Sequence, residues 1–133
     1  MEDTICSPPA AEKLSPLALA YIGDAVYELT VRAHLLAEGE TYNKKMHQQA
    51  VELVCAVRQS RLYDQLDDIL DEQDKDILRR GRNAKSGHQP PHASVCDYRR
   101  ATGVEALIGW LYLRGEKEKL RRIFQRLFEQ RSE

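Results

Sequence analysis

The sequence predicts an all-α domain, for three reasons. Apolar residues recur at helical spacing in each patterned segment. No run alternates β-branched with polar residues between turn residues, as a strand would. Helix boundaries are also legible, as Ser15-Pro16 before one apolar run, Gly39 after it, and Asp71 with Asp74 before another. With 133 residues the chain is sized for one domain with a modest core.

About seven helices are expected. Residues 1–13, with Ser7-Pro8-Pro9, read as a flexible N-terminal lead-in, and the domain as 14–133. The first helix spans 16–37, capped by Ser15 with Pro16 at the first helical position, and stops near Gly39. It is apolar on nearly every side of the helical wheel, which predicts a buried helix. Asp24 falls in its middle, with Glu28 one turn on and about 40° away. A second helix, 44–57, carries Met46, Ala50, Leu53, Val54 and Val57 at helical spacing, and a further piece covers 60–66.

Seven acids between Asp64 and Asp76 lack the alternating spacing and glycine of a calcium loop, and read as a solvated acidic turn. Within it Asp71 is placed to cap a helix over 72–82, with Asp74 at the reciprocal position. That helix runs into Arg79-Arg80-Gly81-Arg82-Asn83-Ala84-Lys85-Ser86-Gly87, a donor-rich, mobile segment suited to phosphate oxygens. The plainer reading is that these cations complement a helix C-terminus. His88, His92 and Cys96 stand four apart, but Pro90-Pro91 forbids a helix there and no fourth ligand is evident, so zinc is not favoured. A short helix over 94–101, an apolar stretch over 102–113 and an amphipathic closing helix over 117–131 complete the chain.

Charge excludes some classes. Acids and bases nearly balance, 21 against 20, for a net charge of -1, so nucleic-acid contact needs a local patch. Three widely spaced cysteines argue against a disulfide framework and for a reducing compartment. The acidic N-terminus lacks a signal pattern and no apolar run reaches membrane-spanning length, so a cytoplasmic protein with no membrane partner is expected.

Glu105 is the lone charge between Thr102 and Leu113, flanked on its face by Ala101 and Gly109, so another helix or a ligand can approach it closely. Two acids in apolar helices allow four readings: a general acid/base pair, a proton-sharing pair, a di-iron bundle or an Mg²⁺ site. The absence of any Glu-x-x-His argues against di-iron, and the nearby basic segment favours Mg²⁺ with a phosphodiester. Two arginine-paired structural acids remain a further alternative.

Leu19-Ala20-Tyr21-Ile22-Gly23-Asp24-Ala25-Val26 resembles the signature segment of the ribonuclease III catalytic domain, and Val104 to Leu113 resembles its second acidic motif. Leu78 to Ser86 and Tyr98 to Gly109 bring the likeness closer to the Mini-ribonuclease III branch, which has the catalytic domain alone. The resemblance extends from about Leu14 to Phe128. It implies an all-α, ribonuclease III-like endonuclease domain without a double-stranded-RNA-binding domain, acting as a homodimer. It implies Mg²⁺-dependent cleavage of double-stranded RNA, with Mn²⁺ able to substitute, and maturation of the ends of 23S ribosomal RNA precursor in a bacterium or plastid. A large-subunit ribosomal protein is the accessory partner it suggests.

Asp24 and Glu105 carry over as catalytic metal ligands. Arg79, Arg82, Lys85 and Ser86 are expected to position RNA, with Asn83 supporting their segment and Glu28 near the metal or paired with Arg32. Ala20 stands where the longer enzymes have Glu, and Thr102 where they have Asp, so fewer carboxylates are expected. The competing class is a non-catalytic helical RNA- or ribosome-binding module of the same fold. A third is an all-α interaction domain with structural acids.

Overall fold

The computed structural model describes residues 7–39, 44–85 and 94–130. A 3₁₀ turn, Ala11–Lys13, precedes six α-helices: α1 Pro16–Glu38, α2 Lys44–Val54, α3 Ala56–Tyr63, α4 Glu72–Asn83, α5 Val95–Leu113 and α6 Lys117–Glu129. No strand occurs among the described residues. The local signals act as read. Ser15 Oγ accepts the Ala18 N–H at 3.2 Å, and Asp71 and Asp74 exchange side-chain-to-backbone bonds at the start of α4.

Among the described residues six helices stand where seven were expected, because 94–101 and 102–113 form one, α5, capped by Ser94 Oγ on the Asp97 N–H. Gly103 in its interior costs about 1 kcal/mol of helix propensity relative to alanine, and packing against α4 outweighs that cost. The second helix ends sooner than expected. Cys55 is extended and separates α2 from α3. Leu53 O accepts the Tyr27 hydroxyl at 2.9 Å and Glu52 O accepts the Cys55 thiol at 3.0 Å, so two of the last carbonyls of α2 have partners other than the next turn.

The core is built around α5. Val104, Leu107, Ile108 and Leu111 are fully buried, and α1, α3, α4 and α6 all pack on this helix. The expectation of a buried α1 is therefore corrected. Leu19, Tyr27, Val31 and Leu35 face the core, but Tyr21 is 86% exposed, Leu29 69% and Leu36 55%. In a chain this short α5 occupies the single interior, and the second apolar face of α1 stays open. The packed unit reaches back to Ala11, which is buried, and Glu12 pairs with Arg114 at the C-terminal end of α5.

The acidic turn is not wholly solvated. Asp74 is 2% exposed, and its carboxylate accepts from Trp110 Nε1 at 3.3 Å and from Lys119 Nζ at 2.6 Å. Asp74 thus completes the capping box of α4 and ties that helix to α5 and α6. The hydrogen bond to Asp74 holds the Lys119 ammonium above its ordinary pKa.

Candidate active site

Two glycines set the site. A Cβ at Gly23 of α1 would collide with the Glu105 carbonyl oxygen of α5, and one at Gly109 would collide with the Leu19 carbonyl. The two backbones therefore touch where they cross. Asp24 follows Gly23, and Glu105 sits one turn before Gly109, so the crossing brings the two acids together. Their carboxyl groups hydrogen-bond. Asp24 is exposed rather than buried, and Glu105 is half-buried, so the pair stands at the open end of the crossing.

Burial pushes the Glu105 carboxyl up to about 8, the hydrogen bond and charge of Asp24 add to the rise, and the charge of Glu28 adds further. The Gln59 amide donates to Glu105 and opposes them. At neutral pH the pair therefore retains a proton. Burial also raises the Tyr27 hydroxyl far above its ordinary pKa, so it serves as a neutral donor to Leu53.

The donors here are carboxyl oxygens, which suit a hard divalent cation such as Mg²⁺, and a cation between them would satisfy both carboxylates. Among the described residues no cluster of three or more His, Cys, Asp or Glu side chains is arranged to hold a metal. A cation here would rely on Asp24 and Glu105, with water or substrate oxygens completing its shell.

Gln59 is the site residue the sequence does not announce. In Arg58-Gln59-Ser60 it reads as part of a polar helix surface. The break at Cys55 turns all three inward, and Gln59 is 3% exposed. Ala20, one turn before Asp24, is buried, and the Thr102 hydroxyl donates to the Tyr98 carbonyl at 3.0 Å. Neither position supplies a carboxylate.

Helix α4 runs through Asn83, one residue past the expected end, so Arg79 and Arg82 stand on its last turns. Arg79 is exposed and paired with Asp76 at 2.6 Å. Arg82 Nε donates to Asn83 Oδ1 at 3.2 Å, and Lys85 lies exposed beyond the helix. Ser86, His88 and His92 lie outside the described residues.

The Ribonuclease III domain profile matches residues 17–116. Mini-ribonuclease 3 of Thermoanaerobacter sp. is 46% identical over 112 residues, covering 84% of this chain and 79% of that protein. Mini-ribonuclease 3 of Brevibacillus brevis is 43% identical over 114 residues, covering 86% and 85%. A crystal structure of a Fusobacterium nucleatum protein superposes with a TM-score of 0.78 at 33% identity, covering 88% of this chain and 93% of that one.

Proposed function

Since the chain belongs to the ribonuclease III family, and within it to the Mini-ribonuclease 3 branch, we propose that it is an endoribonuclease that cuts double-stranded RNA using Mg²⁺ held by Asp24 and Glu105. One observation carries the reading: the close crossing of α1 and α5 at Gly23 and Gly109 brings carboxyls from two helices together at an open surface. A structural ion pair would hold a cationic side chain there instead. A divalent cation in this place supplies activation of a water and neutralisation of charge on the scissile phosphate.

The chain's own residues do the rest. Glu105 gives up its proton when the site is loaded, and Gln59, donating to it, fixes the orientation of the carboxylate. Glu28 adds negative potential that favours a cation. Arg79, Arg82, Lys85 and Ser86 hold backbone phosphates. A-form RNA is read through shape, phosphates and 2′-hydroxyls, so substrate geometry outweighs sequence.

The working unit is a homodimer with one site for each strand. Its contact is the groove of about 1150 Å³ between α1 and α6, walled by Ile22, Val26, Leu29, Leu120, Phe124 and Phe128. The natural substrate is the paired ends of 23S ribosomal RNA precursor in the bacterial cytoplasm, with a large-subunit ribosomal protein as helper and Mn²⁺ as a substitute metal. These finer assignments rest on the motif resemblance.

The test is duplex RNA incubated with and without Mg²⁺, using wild type, Asp24→Asn and Glu105→Gln, each checked for folding by circular dichroism. Metal-dependent cleavage by wild type alone is expected. Binding without cleavage points to a non-catalytic module, and cleavage surviving excess EDTA refutes the metal role.

A further inference from the structure

A cavity of about 470 Å³ opens between the end of α4 and the start of α5, lined by Arg82, Asn83, Val95, Cys96, Arg99 and Arg100. Its walls are held in place by backbone packing. A Cβ at Gly103 would meet Leu78 O at 2.7 Å and Arg82 N at 3.2 Å, so the last turn of α4 lies directly on α5. The Tyr63 ring sits beneath two of the guanidiniums, 5.7 Å from that of Arg82 and 5.1 Å from that of Arg100. Arg100 also pairs with Asp64, and Arg82 is tied to Asn83.

Arg99 differs from both. It is exposed, and no acidic partner holds it among the described residues. Three guanidiniums thus converge on one cavity with one paired carboxylate among them. Three arginines around one cavity favour an anion there, and the planar fork of arginine matches phosphate oxygens. Arg99 precedes Glu105 by six residues, about 9 Å along the helix axis. That separation, with about 120° of turn around the helix, is too long for a shared phosphate.

We propose that Arg99 is an RNA-positioning residue and that the cavity between α4 and α5 holds a backbone phosphate of the duplex, next to but distinct from the scissile one. This rests on the endoribonuclease reading and adds α5 to the surface that grips the substrate.

The test compares wild type, Arg99→Gln and, as a control, Lys13→Gln, which removes a charge near the far end of α5. Arg99→Gln is expected to raise KM for duplex RNA roughly five- to tenfold and to lower the salt slope of binding by about one, with the loss falling on KM rather than kcat. Lys13→Gln is expected to change neither. Labelling of Cys96 by N-ethylmaleimide, read by peptide mass spectrometry in EDTA, should slow several-fold when RNA is bound. The proposal is overturned if Arg99→Gln keeps the wild-type KM and salt slope while RNA leaves Cys96 labelling unchanged. If wild type cuts no duplex RNA, the endoribonuclease reading fails first, and the proposal falls with it.

Discussion

Glu105 owes its affinity for a proton to the contact that brings it against Asp24. Its ordinary pKa is near 4.5 and the folded value is about 8, so between those pH values the native state holds a proton that the unfolded chain has released. The native state binds more protons, and its stability therefore falls as pH rises through this window. Urea midpoints of metal-free protein at pH 5, 6.5 and 8 should decline, and Glu105→Gln should lose this part of the decline. Parallel curves for the two proteins would refute the assignment. Asp24 stands out in the sequence as a carboxylate on a helix that is apolar on nearly every side, and the two acids do meet. The expected burial does not hold, because a wheel records which faces are apolar and not which of them find a partner.

At the scale of elements, the contact of α1 with α5 makes the site. Gly109 reads in the sequence as a small residue leaving room, and the structure uses both it and Gly23 for backbone-to-backbone approach. Gly23→Ala is expected to cost about 3 kcal/mol, the upper end for overpacking, because the obstacle is a carbonyl oxygen that no rotamer change can move. The same shift parts Asp24 from Glu105, so cleavage should fall with stability. Urea denaturation and an RNA cleavage assay check the two effects, and an unchanged variant would show that the crossing has slack. The break at Cys55 is the counterpart that no spacing foretold. At it a hydroxyl from α1 and the Cys55 thiol donate to carbonyls of α2, and Gln59 in the helix that follows donates to Glu105.

Over the whole molecule, α5 is the hub, and α1 presents its spare apolar face to solvent. Tyr21, Leu29 and Leu36 form an exposed apolar stripe on α1, and Leu29 also walls the groove shared with α6, an arrangement a chain in water rarely leaves uncovered. Leu29→Glu is expected to convert a dimer into a monomer in sedimentation equilibrium while leaving helix content intact. A wild type that sediments as a monomer at micromolar concentration would overturn the dimer. Asp74 shows the same difference between local and global information. As a helix cap it was legible from two residues three apart, whereas its bonds to Trp110 and Lys119 come from residues 36 and 45 positions on.

By itself the sequence determined the helices and most of their ends, the capping box at Asp71, the two acids and the family, because periodicity, caps and motifs are properties of neighbouring residues. Only the tertiary structure decided that α5 rather than α1 is the buried helix, that Gln59 joins the acid pair, and that Arg99 and Arg100 face Arg82 across one cavity. Each of these turns on which helix covers which face. That choice follows from close packing among residues far apart in the chain, and the 3.6-residue period carries no record of it.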